Sequence, residues 1–338
     1  MNNILKKYFF AFLLLLPFLT FAQDAAELHQ NGMKLMAQGD YDNAVLVLGR
    51  AVEKAPDVTG YAKDLAYVYF LKSDADNAQK IVSRLMDKDD ADDRLFLLSG
   101  NIQQMKGDFK EAEKVFRKGI KKFENSGLLY NALGELLFNR QDYAAINQWE
   151  KGIEKDAGYA GNYYNAARYY YLTASAEDKV WCIIYGEIFV NLESFSQRTI
   201  ETKTFILESY KKMFAEKELF TPGKKQGFLL AYTTLMGKHQ GMIALGVNTN
   251  SLLALRTRFL LDWNNEHAAT YPMRLFELHR QLLREGMFEA YNQWLFESVI
   301  NVAAFDNWSR THAEEYNAFN RLRQNKIFKM PAGQYYKR

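Results

Sequence analysis

Apolar and polar positions along residues 25–192 follow a helical period, and short polar stretches interrupt that period at regular intervals. The stretches "LMAQGDYDNAVLVLGRAVEKAP" and "QQMKGDFKEAEKVFRKGIKKF" each place a turn signal between two amphipathic segments. Apolar residues that recur every three to four positions are typical of helices that bury one face. No stretch alternates apolar and polar residues convincingly enough for a β-strand. The pattern therefore predicts an all-α chain.

The turn signal recurs with a period of 34 residues, which indicates an internal repeat. An aspartate follows each first position of the turn, and these first positions are Gly39, Ser73, Gly107 and Gln141. Glycine there suits the left-handed end of a first helix, and the aspartate suits the N-cap of a second helix. A small residue lies seven positions earlier in each repeat, at Gly32, Ala66, Gly100 and Gly134. We expect the aromatic residues after the turn, Tyr41, Phe109 and Tyr143, to fill the joint between the two helices.

This pattern resembles the tetratricopeptide repeat (TPR), in which each repeat is a pair of antiparallel helices. The resemblance implies that the small residues lie where two helices cross and that Leu48 and Val82 pack onto the next repeat. A helix pair cannot bury its own apolar face, so the repeats must stack. Four repeats are clear between about Ala25 and Asp156, and a weaker fifth runs from about Ala160 to Leu192. We therefore predict a TPR α-solenoid over residues 23–192.

The 34-residue period is lost after Ser196, but the helical period of apolar residues continues. Residues 193–338 are predicted to form an all-helical C-terminal region, either a domain or a cap for the solenoid, because solenoids need a polar-faced end. The segment "YPMRLFELHRQLLREGMFEAYNQWLF", with a following F-x-x-W and "AFNRL", resembles a family of exported TPR proteins of Bacteroidota. The resemblance implies export and a TPR architecture, and it implies no biochemical activity.

The first residues carry the pattern of a signal peptide. Lys6 and Lys7 precede an apolar run of about 15 residues that ends at Ala22, and small residues stand at Thr20 and Ala22. The alternative is a retained membrane anchor, but the run is shorter than the roughly 20 residues that span a bilayer. We predict cleavage after Ala22 and an exported mature chain, periplasmic or extracellular, without a transmembrane span.

The charge of the chain argues against a nucleic-acid partner. The formal net charge is +3, and it falls to about +1 once residues 1–22 are removed. A nearly neutral chain lacks the positive surface that nucleic-acid binding requires. Residues 321–338 hold six basic residues and no acidic one. This stretch could contact an acidic surface, but we expect a solvated tail.

The sequence offers little catalytic or metal-binding chemistry. Its five histidines form no paired motif, and Cys182 has no second cysteine to join it at a metal site, so we expect no metal and no cofactor. Cys182 lies among large apolar residues, which predicts an inert buried thiol. The alternative to a non-catalytic chain is an enzyme or a small-ligand protein with its site in residues 197–338. That alternative requires a deep pocket where Glu277, His279, Arg280 or Glu289 converge with a shifted pKa.

The TPR resemblance implies that the first helix of each repeat lines a concave groove. The groove positions carried onto this chain are Lys63, Tyr67, Phe70, Asn101, Gln104, Asn131, Glu135, Phe138, Asn139, Tyr164, Arg168 and Tyr171. Aromatic rings beside amides and an arginine suit a protein or peptide ligand. Alternatively, some of these tyrosines pack into the core. We therefore predict a non-catalytic scaffold that binds a protein or peptide partner in the cell envelope.

Overall fold

The structure is a computed structural model that describes residues 24–221, 223, 225–325 and 328–337. All regular secondary structure in this part of the chain is helical, and the prediction of an all-α chain is confirmed. The predicted signal peptide, residues 1–22, lies outside the described residues. None of the described helices is both long enough and apolar enough to cross a bilayer.

The chain divides into two compact units, one ending at Asp108 and the other beginning at Phe109. The helices of the first unit are α1 (Ala25–Ala37), α2 (Tyr41–Lys54), α3 (Thr59–Leu71), α4 (Ala75–Met86) and α5 (Asp93–Met105). Each helix packs against the next, and α3 also contacts α1 and α5. Leu48 of α2 shares an apolar cluster with Leu65 of α3, and Val82 of α4 shares another with Leu95 of α5. The predicted packing of Leu48 and Val82 onto the next repeat is confirmed.

The second unit begins with five helices of similar length. They are α6 (Phe109–Lys122), α7 (Gly127–Asn139), α8 (Ala145–Lys155), α9 (Ala160–Leu172) and α10 (Ala176–Leu192). Each packs against the next, and α7 also contacts α9. The helices α9 and α10 cover the weaker fifth repeat with the predicted limits. Each unit thus contains helix pairs that stack on one another.

The rest of the second unit is helical without a regular repeat. Its helices are α11 (Gln197–Ala215), α12 (Gly227–Lys238), α13 (Thr249–Glu266), α14 (Arg274–Arg284), α15 (Phe288–Asn292), α16 (Ser298–Ile300), α17 (Val302–Thr311) and α18 (Ala313–Asn325). A π-helical turn, Gln293–Glu297, joins α15 to α16, and short 3₁₀ turns cover Lys217–Phe220 and Gln240–Ile243. Helix α11 packs along α10. The predicted domain boundary between residues 192 and 193, which this contact crosses, stays a prediction.

The recurring turn has the same backbone conformation in all four repeats. Its first residues have positive φ angles, 79° at Gly39, 65° at Ser73, 78° at Gly107 and 59° at Gln141. The N–H of Asp40 donates to the carbonyl of Leu35 at 3.0 Å, and the N–H of Asp142 donates to that of Leu137 at 2.9 Å. These bonds close the end of the preceding helix. Ser73 and Gln141 adopt a conformation that glycine adopts at lower free energy. The position in the repeat therefore determines the turn conformation together with the residue type.

Aspartate and glycine have their predicted roles at the helix ends and crossings. Asp40 accepts a hydrogen bond from the backbone N–H of Asn43 at 3.3 Å, as an N-cap should. A β-carbon on Gly32 would lie 2.5 Å from Cγ of Leu48. Because real β-carbons do not approach other atoms so closely, a larger residue at position 32 would require the Leu48 side chain to shift. These predictions are confirmed.

The predicted role of the aromatic residues after the turn is wrong for Phe109 and Tyr143, but Tyr41 packs against the apolar cluster that holds Leu48, as predicted. Tyr143 is 66% exposed and Phe109 is 46% exposed, while Tyr41 is half-buried. Phe109 is the first residue of its helix. Side chains lean toward the N-terminus of a helix, so the Phe109 ring projects beyond the helix end.

Candidate functional site

Lys63, on α3 of the first unit, is engaged by neighbouring acidic groups. Its Nζ donates to Oδ2 of Asp92 at 3.0 Å and to the backbone carbonyl of Asp90 at 3.3 Å. Asp92 is also the N-cap of α5, where it accepts from the N–H of Leu95 at 3.1 Å. Lys63, which was predicted to line the groove, therefore joins α3 to the start of α5.

The other predicted groove residues of the first unit form two local pairs. Tyr67 is 43% exposed, and its ring lies 6.2 Å from that of Phe70 on the same helix. Gln104 donates from Nε2 to Oδ1 of Asn101 at 3.3 Å on α5. Each pair lies on one helix, and their role in binding stays a prediction.

In the second unit, three polar side chains join α7 to α9. Asn165 donates from Nδ2 to Oδ1 of Asn131 at 2.8 Å and to Oε1 of Glu135 at 3.0 Å. Asn131 donates from Nδ2 to the same Glu135 oxygen at 2.9 Å. Asn131 and Asn165 are buried, while Glu135 is exposed. The two asparagines are 34 residues apart, which is one repeat. Asn165 was not predicted, although this spacing from Asn131 points to it.

This network fixes the orientation of the Asn165 amide. Both hydrogens of its Nδ2 group are used in the bonds to Asn131 and Glu135, and no hydrogen bond from the described residues reaches its Oδ1. An amide oxygen can accept two hydrogen bonds. The Oδ1 atom of Asn165 therefore keeps an unused capacity to accept hydrogen bonds, on a side chain that is 5% exposed.

Phe138 and Arg168 lie together beside this network. The guanidinium carbon of Arg168 lies 5.5 Å from the centre of the Phe138 ring, and Arg168 is exposed. Phe138 is half-buried and packs at 5.7 Å from the Trp149 ring. Asn139 is exposed at the end of α7. The arginine is thus stacked on an aromatic face and presents its donors to solvent.

Tyr164 connects α9 to α11. Its hydroxyl donates to Oε2 of Glu201 at 2.6 Å, and the guanidinium carbon of Arg198 lies 4.9 Å from its ring centre. Burial and then the hydrogen bond to Glu201 raise the pKa of Tyr164 to about 12, so the hydroxyl stays a neutral donor. Tyr171 stacks on Phe205 of α11 at 4.5 Å. Arg198 and Glu201 were not predicted, since both lie beyond the last repeat.

These contacts define a polar and aromatic surface on three neighbouring helices of the second unit. We call it the α7–α9–α11 face, and its residues are Asn131, Glu135, Phe138, Tyr164, Asn165, Arg168, Arg198 and Glu201. It combines two amides, two carboxylates, two guanidinium groups and two aromatic rings. Such a surface can form directional hydrogen bonds with an extended ligand chain. It can also discriminate between acidic and basic side chains of that ligand.

A second group of polar side chains is fully enclosed in the second unit. Arg256 donates from Nη2 to Oε1 of Glu187 and from Nη1 to Oδ1 of Asn292, the latter at 2.7 Å. Nε2 of His279 and the hydroxyl of Tyr291 lie 3.0 and 2.9 Å from the same Glu187 oxygen. The exposed fractions are 2% for Glu187, 3% for Arg256 and 4% for His279. A solute cannot reach this buried cluster, so it holds α10, α13, α14 and α15 together.

The protonation states within the buried cluster follow from its charges. Burial acts to raise the pKa of Glu187, but Arg256, His279 and the hydrogen bonds outweigh it and lower that pKa to about 2. Burial lowers the pKa of His279, with Glu187 acting in the opposite direction. Glu187 is therefore ionised at neutral pH, His279 is neutral, and Arg256 supplies the compensating charge.

The side chains named for a possible enzymatic site do not converge in one pocket. Glu277 and Arg280 line a pocket of about 460 Å³, while His279 on the same helix belongs to the buried cluster. Glu289 accepts from Nε1 of Trp308 at 3.1 Å. Positions one and two apart on a helix point in different directions, which separates His279 from Glu277 and Arg280.

Cys182 is an enclosed thiol, as predicted. Its side chain has no exposed surface, and its Sγ lies 3.8 Å from the backbone carbonyl of Phe205. Burial raises the pKa of the Cys182 thiol to about 12. Since the thiolate is the reactive form, this cysteine is inert at neutral pH.

Comparison with known proteins found similar solved structures and one matching family model. A search among curated proteins found no match. Among solved structures, YrrB, described as a TPR protein with an unusual peptide-binding site, is 18% identical over 54% of this chain and 92% of its own, with a TM-score of 0.35. Two structures of MamA are 17% and 16% identical, each with a TM-score of 0.37. They cover 51% and 53% of this chain and 94% and 92% of their own. Residues 35–102 match the family model of the tetratricopeptide repeat, so this part of the chain consists of tetratricopeptide repeats.

Proposed function

We propose that this chain is a non-catalytic scaffold that binds an extended segment of a protein partner along the α7–α9–α11 face. The tetratricopeptide repeats of residues 35–102 support a role in protein–protein interaction. The observation that carries the proposal is the oriented amide of Asn165, whose donors are held by Asn131 and Glu135 while its oxygen has no partner among the described residues.

The face suits an extended chain because such a chain exposes one N–H and one carbonyl per residue. Asn165 accepts from a backbone N–H of the bound segment, and the exposed guanidinium of Arg168 donates to a carbonyl or to an acidic side chain. Phe138, on which Arg168 lies, and Tyr164 supply apolar contact area. Rigid rings and pre-positioned amides lose little side-chain entropy when a ligand binds.

Replacement of Asn165 or Arg168 is expected to weaken peptide binding about tenfold or more, which corresponds to about 1.4 kcal/mol. Phage-displayed random 12-residue peptides are selected on the purified chain, and the dissociation constant of the best peptide is measured by fluorescence anisotropy. The variants are Asn165→Ala and Arg168→Glu. Asn165→Ala removes the oriented amide, and Arg168→Glu reverses the exposed charge.

Arg258→Glu is the matched control, because Arg258 is exposed on α13 and undergoes the same charge reversal. It should leave the affinity unchanged. If the selected peptides bind both face variants as tightly as the unchanged chain, or if no peptide is selected, the proposed binding face is wrong. Circular dichroism of each variant verifies that helix content is preserved.

We also propose that the chain is exported to the cell envelope, where its protein partner lies, after removal of residues 1–22. The support is Lys6 and Lys7 followed by the apolar run that ends at Ala22. When the whole sequence is expressed in a bacterium, envelope or extracellular material should begin at Gln23 in N-terminal sequencing. Recovery of the uncleaved chain from the cell interior alone would contradict export.

A further inference from the structure

Residues 334–337, with the sequence Gln-Tyr-Tyr-Lys, lie against the second unit without forming a helix. Gln334 accepts from the backbone N–H of Arg274 at 2.6 Å through its Oε1. The Tyr336 hydroxyl donates to the carbonyl of Pro272 at 2.5 Å. The expectation that residues 321–338 are a solvated tail is wrong for these four residues, because their side chains have specific partners. We call these four residues the 334–337 segment.

The ammonium group of Lys337 enters an acidic and aromatic site. Its Nζ donates to the Tyr170 hydroxyl at 2.6 Å and lies 4.0 Å from the centre of that ring. It also lies 3.8 Å from Oε1 of Glu150 and 4.0 Å from Oδ1 of Asp178. The Trp181 ring is 5.8 Å away. Two carboxylates and two aromatic faces around one ammonium form a cation-selective site.

Tyr336 occupies an aromatic site next to that of Lys337. Its ring is nearly parallel to Phe228, with centres 5.2 Å apart, and it meets Tyr271 edge to face at 5.6 Å. Trp181, which lies beside Lys337, stacks on Phe228 with ring centres 5.7 Å apart. The two sites therefore form one continuous surface that accepts an aromatic residue followed by a basic one.

This surface extends beyond the four residues that occupy it. A pocket of about 770 Å³ continues beside the 334–337 segment, lined by Glu177 and Asp178 of α10 and by Phe228 and Tyr271. Its volume is within the range of pockets that hold ligands. The surface therefore has room for more of an extended chain than the segment supplies.

We propose that this surface, the aromatic–acidic cleft, is a docking site for a partner peptide that carries an aromatic residue next to a lysine or arginine, with the 334–337 segment as its intramolecular occupant. The carboxylates of Glu150 and Asp178 complement the basic residue, and the rings of Phe228 and Tyr271 complement the aromatic one. A tethered segment competes at an effective concentration of about a millimolar. A partner must therefore bind tightly, or the segment must be released first. The cleft shares no residue with the α7–α9–α11 face.

The test compares the unchanged chain with the double variant Tyr336→Ala/Lys337→Glu, called the vacated variant because it removes the Tyr336 ring and the Lys337 ammonium group from the cleft. The probe is a fluorescein-labelled peptide of sequence Gly-Gln-Tyr-Tyr-Lys, and binding is measured by anisotropy. The vacated variant is expected to bind the probe at least tenfold more tightly than the unchanged chain. Adding Asp178→Asn to the vacated variant should weaken binding about fivefold or more, since it removes one carboxylate from the ammonium site.

Two controls make the result specific. Lys329→Ala neutralises an exposed lysine outside the cleft and should bind the probe as weakly as the unchanged chain does. A probe that ends in glutamate instead of lysine should not bind the vacated variant. Equal affinity of the vacated and unchanged chains, or no binding by the vacated chain, overturns the proposal. If the double variant loses helix content, Lys337→Glu alone gives the same comparison.

The outcome is independent of the proposed function. Asn165→Ala and Arg168→Glu should not change binding of this probe to the vacated variant, because neither residue contacts the cleft. Loss of probe binding in those variants would place the probe on the α7–α9–α11 face and would contradict a separate cleft.

Discussion

Replacement of Arg256 by methionine is expected to lower the free energy of unfolding by about 3–5 kcal/mol, the usual cost of removing one partner from a buried ion pair. Methionine fills much of the space but leaves the Glu187 carboxylate 2% exposed and without its compensating cation. The hydrogen bonds from His279 and Tyr291 remain, and they do not supply a full positive charge.

Urea unfolding followed by circular dichroism measures this effect. Arg258→Met is the matched control, two residues further along α13, where the side chain is exposed and its loss should change stability by less than about 0.5 kcal/mol. A double variant, Glu187→Leu/Arg256→Met, removes both charges and should recover much of the loss. Equal stability of the Arg256→Met and Arg258→Met variants would show that the ion pair is not needed.

The second large effect is expected at Lys179, which closes the end of α9. Its Nζ donates to the carbonyls of Tyr170 at 2.6 Å, Tyr171 at 2.9 Å and Thr173, and the residue is buried. The last carbonyls of a helix have no partner within the helix. Lys179→Met removes their donor and should lower the free energy of unfolding by about 2–4 kcal/mol, from charged hydrogen bonds lost at a buried site.

This change is measured in the same urea experiment, with Lys118→Met as the control because Lys118 is exposed on α6. Hydrogen exchange of the amides near the end of α9 adds a local measurement, since loss of the cap should increase their exchange. A global stability change below about 0.5 kcal/mol would contradict the capping role of Lys179.

Lys179 also explains how the fifth repeat keeps its fold without the turn signal of the other four. In the first four repeats, a residue with positive φ closes the first helix through backbone hydrogen bonds. The fifth repeat has "TASAED" at this place, and Thr173 has an extended backbone instead. A lysine side chain from the following helix takes over the bonding. The sequence predicted the two helices, but it could not show this replacement.

The α7–α9–α11 face was predictable in part. The 34-residue register located Asn131, Glu135 and Phe138 on a first helix, and the same register applied to Asn131 points to Asn165. Arg198 and Glu201 belong to α11, where the repeat has ended, and no spacing rule reaches them. Side chains on neighbouring helices meet only after those helices have packed.

Local pattern determined the helical class and the helix ends of this chain, because the helical period and capping depend on residues within a few positions of one another. The 34-residue period determined the stacked pairs and the positions of the turns. The tertiary structure decided the partners of charged groups. Glu187 and Arg256 are 69 residues apart, and Lys337 and Tyr170 are 167 apart. Such pairs form only once the non-repeating C-terminal helices and the 334–337 segment have packed against the fifth repeat, and sequence spacing carries no information about that packing.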